Sequence, residues 1–137
     1  MSDIFIMKCC IIKGNYNIFM GAYVGYHWSL ANSTQNCNII MGAKTACGCE
    51  AFTCQNTILA TESLHNACNL SDTTIIGFHA GKCNIHAHKN VLIGSCAGAD
   101  LTSGCCNIAI GYDAQLPNWV GNCQLAIGIA NGNNWIV

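Results

Sequence analysis

His86 and His88, separated only by Ala87, are the sharpest pair of chemistry-bearing side chains in this sequence. In an extended segment, residues two apart project to the same side, so both imidazoles can reach one ion. A single chain would supply two ligands, too few for a closed site, but three chains around an axis would complete a six-ligand shell for a transition-metal ion. The competing reading is of polar turn residues beside Lys89. The acids Asp3, Glu50, Glu62, Asp72, Asp100 and Asp113 keep no repeated relation to a histidine. No nucleophile–base pair or carboxylate pair stands out, so no catalytic residue and no organic cofactor are expected.

Cysteine is the other reactive type, with 12 in the chain. No C-x-x-C pair occurs, and Cys9-Cys10 and Cys105-Cys106 are adjacent, a poor spacing for chelation. Residues 1–13 lack the basic start and continuous apolar core of a secretory signal. Cys37, Cys106 and Cys123 each precede a recurring Asn or Gln, so the thiols follow a structural period. Most are expected to be small buried apolar residues with free thiols. Neighbouring coils of a parallel stack lie ~4.8 Å apart, which leaves a Cys106–Cys123 disulfide geometrically open unless assembly occurs in a reducing cytoplasm.

The element that positions these residues is a repeat. Gly21, Gly42, Ala60, Gly77, Gly94, Gly111 and Gly128 close successive apolar runs, with gaps of 21, 18, 17, 17, 17 and 17 residues. Four residues before each stand Asn17, Asn38, Asn56, Thr73, Asn90, Asn107 and Gln124. Immediately before each stand Met20, Met41, Leu59, Ile76, Ile93, Ile110 and Ile127. Such a period means stacked coils. Each unit reads strand, turn, strand, turn, with glycine where the backbone turns and asparagine able to ladder from coil to coil. The expected fold is all-β: a parallel β-roll or β-solenoid of about seven coils with a 17-residue repeat, assembled as a homotrimer. Residues 1–13 form an N-terminal cap or docking segment, 14–132 the β-roll, and 133–137 a C-terminal cap.

Two features argue for assembly. Charged residues make up 8% of the chain, against roughly 25% in an ordinary soluble domain. The strands are also apolar on both sides: Ile18/Met20, Val91/Ile93 and Ile108/Ile110 face one way, and Phe19, Leu92 and Ala109 the other. With the flanking pairs in the wall, Leu92 and its equivalents fall on the face that should meet water, and copies of the chain would have to cover them. The 5 Lys+Arg balance the 6 Asp+Glu, giving no field for nucleic acid, and no apolar run is long enough for membrane insertion. The longer early gap contains Tyr26, His27 and Trp28, candidate receptor contacts or an end seal. In the third unit Ala60 and Leu64 replace glycines and Glu62 enters, so a distorted coil is expected there.

Asn90-Val91-Leu92-Ile93-Gly94-Ser95-Cys96-Ala97-Gly98 and Asn107-Ile108-Ala109-Ile110-Gly111-Tyr112-Asp113-Ala114 resemble the repeats of bacteriophage tail fibres. They are also similar to the head of trimeric autotransporter adhesins. The resemblance covers residues 14–137. It implies a homotrimeric β-roll in a virion appendage (tail fibre, spike or decoration protein) that attaches to a host-surface glycan or protein and contacts other virion proteins. It also implies metal on a trimer axis at His-x-His pairs, which favours His86 and His88. The lack of a leader or anchor points to the viral version, assembled in the host cytoplasm.

The alternative is a self-stacking subunit of an extracellular or viral filament, its open end coils pairing with the next copy. A hexapeptide-repeat acyltransferase fails on register, because stepping by six from Ile93 lands on Ala99, Cys105 and Gly111. An ice-binding solenoid fails because Thr73, Thr74 and Thr102 keep no single column.

Overall fold

The computed structural model describes residues 14–24, 36–46, 53–65 and 69–129, and the strand pairing of 4–6 and 133–136. Among the described residues there is no helix; parallel strands stack as a β-solenoid of about five turns with a ~17-residue spacing. One sheet has nine strands. In spatial order they are β1 (Ile4–Ile6), β2 (Ile18–Met20), β3 (Ile39–Met41), β5 (Thr57–Leu59), β7 (Thr74–Ile76), β9 (Val91–Ile93), β11 (Ile108–Ile110), β12 (Leu125–Ile129) and β13 (Asn133–Ile136). The second sheet has four: β10 (Ser103–Cys105), β8 (His86–His88), β6 (Leu70–Ser71) and β4 (Thr53–Cys54). Every adjacent pair is parallel except β12 with β13.

The interior lies on the side opposite to the one expected. Phe19, Ile40, Ile58, Ile75, Leu92, Ala109 and Ala126, the central strand residues, are the buried ones. The flanking residues look outward, and Ile39, Leu59 and Ile108 are among the exposed large apolar side chains. Leu92 is therefore core, and Val91 and Ile93 form the outer wall. The Asn column decides the side. Asn17, Asn38, Asn56, Asn90 and Asn107 are buried, and the two-residue alternation puts each on the same side as the central residue two further on.

That placement lets the amides serve as internal rungs. Asn17 Oδ1 accepts the backbone N–H of Asn38 at 3.1 Å, and Asn38 Oδ1 that of Asn56 at 3.1 Å. Asn90 Oδ1 does the same for Asn107 at 2.8 Å, and Asn107 Oδ1 for Gln124 at 2.9 Å. Asn56 Oδ1 accepts the Thr73 N–H at 3.0 Å, and the run ends at Thr73, whose hydroxyl donates to the Ser71 carbonyl at 2.9 Å.

Glycine is required where coils approach. Gly21, Gly42, Gly77, Gly94 and Gly111 all have φ between 128 and 144°. A Cβ on Gly94 would overlap the Gly111 carbonyl oxygen, and one on Gly77 would lie 2.5 Å from the Gly94 carbonyl oxygen. Gly128 departs from the pattern: β12 runs straight through it to Ile129, with a register shift against β13 at Ile127/Gly128. Nor is the third unit distorted in the sheet, since β5 keeps full register with β3 and β7. Leu64 takes φ 54° and is fully buried.

Among the described residues, the corners hold sixteen non-glycine residues at positive φ. Two columns account for most of them: Tyr16, Cys37, Gln55, Asp72, Lys89, Cys106 and Cys123 just before the Asn column, and Tyr23, Lys44, Glu62, His79, Cys96 and Asp113 two residues past the glycine. Left-handed backbone is unfavourable for such residues. Here it is held by bonds between coils. Cys106 N–H donates to the His88 carbonyl at 3.1 Å, Cys123 N–H to Cys105 at 3.0 Å, and Glu62 N–H to Ala43 at 2.9 Å.

Candidate functional site

The two sheets present different outer faces. On the nine-stranded sheet the outward residues are mostly Ile, Met, Leu and Val: Met41, Leu59, Ile76, Ile93 and Ile110 lie along one edge of the strands. On the four-stranded sheet Leu70 and Ala87 point inward, leaving Cys54, Ser71, His86, His88 and Cys105 on the outside.

His86 and His88 thus stand in strand β8 with Ala87 buried between them, on one outward face as the extended spacing requires. Register sets His86 against Ser103 and His88 against Cys105 of β10. On the other side Ser71 Oγ lies 3.1 Å from His88 Nδ1. No group of three or more His, Cys, Asp or Glu able to hold a metal ion occurs among the described residues. The two imidazoles of one chain would need further ligands from other chains.

Tyr26, His27 and Trp28 lie outside the described residues. Exposed aromatics occur elsewhere, at the corners that flank the apolar face: Tyr16, Tyr23, Phe78 and Tyr112, with Trp119 in the last turn. The signal for these in the sequence was weak, because only Phe78 and Tyr112 share a column, each following its repeat glycine, and the others fall elsewhere. Phe78 walls an open hollow of about 440 Å³ lined also by Met41, Gly42, Leu59, Ala60, Thr61 and Gly77. Its ring stacks on His79 with centroids 3.8 Å apart.

Beside that hollow runs a charged chain across three coils. Lys44 Nζ is 3.4 Å from Glu62 Oε1, and His79 Nε2 is 3.2 Å from Glu62 Oε2. The hydrogen bond from His79, and then that from Lys44, hold the Glu62 carboxyl below its ordinary value. Opposite charges in successive units of one column were the sequence signal for this relation.

Among the described residues, no cysteine is fully buried in the core. Among the described thiols Cys37, Cys83, Cys106 and Cys123 are exposed and Cys54, Cys96 and Cys105 half-buried. Three of the exposed ones occupy the left-handed corner column, whose side chains face solvent. The buried position next to Cys37 and to Cys106 goes to asparagine, at Asn38 and Asn107.

No family model, curated protein or solved structure matches the chain. No helix among the described residues is long and apolar enough to cross a membrane.

Proposed function

We propose that this chain is a structural, adhesive virion component, a tail-fibre, spike or decoration module of seven coils that forms a homotrimer and attaches to a host surface. One observation carries the reading: the outward face of the nine-stranded sheet is an apolar stripe running from coil to coil. Ile39, Leu59 and Ile108 are each more than a third exposed on it. Soluble monomers rarely expose contiguous apolar patches of this kind, and such a stripe is most simply covered by the same stripe on other copies. Phe78 and Tyr112, exposed at its border, extend the contact.

Lateral association is preferred over the end-to-end filament because the exposed apolar residues Ile39, Leu59 and Ile108 lie on the flank of the stack, in strands paired on both sides. Host attachment falls to exposed side chains off the stripe, and His86 and His88 are the candidate ligands of an ion shared between chains. No catalytic role is assigned.

The test is the mass of the assembly in solution. A trimer is expected, broken by Ile39→Lys combined with Ile108→Lys. A wild-type chain that stays monomeric at high concentration would sink the assembly reading. A dimer would overturn the trimer, and a ladder of ever larger species would favour the filament. Loss of the trimer on adding a chelator, reproduced by His86→Ala, is expected if the ion is shared.

A further inference from the structure

Cys106 and Cys123 are consecutive members of the left-handed corner column, at φ 61° and 57°. Both are exposed. Cys123 N–H donates to the Cys105 carbonyl at 3.0 Å, and Gln124 N–H to Asn107 Oδ1 at 2.9 Å, which bracket the two cysteines side by side on adjacent coils. Parallel neighbours stand ~4.8 Å apart, inside the Cα range of a disulfide, and equal φ makes the two Cα–Cβ bonds nearly parallel. Closure then needs the Cβ atoms to approach by a few tenths of an ångström. Among the described residues no other two cysteines share a column in consecutive coils. Cys105 sits beside them but belongs to another column, opposite His88 in the register of the four-stranded sheet.

We propose that Cys106 and Cys123 form a thiol-exchange site for small-molecule disulfides, which closes reversibly into a staple between the last two repeat coils. In the first step the Cys106 thiolate attacks one sulfur of the small disulfide; a mixed disulfide forms and one small thiolate leaves. In the second the Cys123 thiolate attacks the Cys106 sulfur, the Cys106–Cys123 bond forms, and a second small thiolate leaves. The protein loses two hydrogens and two electrons, and the small disulfide gains them as two thiols. Cys105 is the bystander. The staple joins β11 to β12 covalently beside the rung from Asn107 to Gln124, so the coil that bears β13 becomes harder to peel away.

The experiment treats the reduced full-length chain with oxidised glutathione, alkylates the remaining thiols and maps linkages by peptide mass spectrometry. Expected are an intrachain Cys106–Cys123 link, release of two glutathiones per link, and a melting midpoint raised by several degrees. Cys123→Ser is expected to trap glutathione on Cys106, whereas Cys105→Ser leaves the link intact; circular dichroism checks that each variant keeps its β-spectrum. A link that involves Cys105, a link between chains, or glutathione that persists on wild-type Cys106 would each overturn the proposal.

Discussion

Asn38 Oδ1 accepts two hydrogen bonds from Asn56 one coil away, from the backbone N–H at 3.1 Å and from Nδ2 at 2.9 Å. Both residues are buried. Replacing Asn38 by Ala takes this acceptor from the buried Asn56 N–H and leaves Asn56 Nδ2 with the Leu70 carbonyl at 3.4 Å. The expected loss is about 2–3 kcal/mol, since an orphaned buried donor costs about 1–3 kcal/mol. Thr73 marks a natural break in the ladder, so Thr73→Ala should cost less than Asn38→Ala. Urea unfolding of the two variants checks the order.

The glycines separate into two kinds. At Gly94 a methyl group would strike the Gly111 carbonyl, and φ is 128°. Gly94→Ala is expected to destabilise by more than the ~1 kcal/mol of an ordinary positive-φ substitution, because the next coil must also shift. Gly128 lies within β12 and has no positive φ to lose. Gly128→Ala should be the milder change in thermal melting, and equal effects would count against the coil-contact argument.

Asn84 lies outside the ladder. It is fully buried, and neither Oδ1 nor Nδ2 has a hydrogen-bond partner among the described residues. A buried amide left this way is costly, whereas an apolar side chain of similar volume has no polar atoms to desolvate. Asn84→Leu is expected to be neutral or to raise stability by about 1 kcal/mol. A clear fall in the melting midpoint would mean that the amide does meet a partner, such as an ordered water.

The period, the parallel stack and the paired strands of each unit were legible because Asn and Gly keep columns that stacking explains. The inner face was not legible from alternation, since Phe19 and Ile18 are equally apolar. The Asn column does contain the answer, because a buried amide at Asn17 fixes Phe19, two residues on, as interior. The exposure of Cys106 and Cys123 was hidden for another reason. Nothing about cysteine announces a left-handed backbone, and only the inter-coil bonds place those residues at a corner. The chain Lys44–Glu62–His79 was readable in principle as alternating charge at one coil spacing.

That chain gives a pH dependence with a defined sign. His79 and Lys44 lower the Glu62 pKa on folding, so its contribution is complete above the unfolded carboxylate range, ~4.3. It is lost as pH falls through the depressed folded value. The carboxylate is partly exposed, so solvent screens the effect and keeps it small. Glu62→Gln should flatten the acid side of the melting-midpoint curve measured from about pH 6 to about pH 2. An unchanged acid limb would show that other carboxylates set it.

Leu92 and Ile93 test the face assignment most directly. Leu92 is fully buried, and the outward Ile93 is in part open to solvent. Leu92→Ala leaves a cavity inside the stack and is expected to cost about 2–5 kcal/mol whatever the protein concentration. Ile93→Ala should cost less in dilute solution, where copies are apart. Its effect should appear instead as a weaker assembly, with dissociation at higher protein concentration than in the wild type. The two substitutions therefore differ in concentration dependence as well as in size. If Ile93→Ala proved as damaging as Leu92→Ala at high dilution, the outer apolar face would serve the single chain, and lateral association would lose its main support.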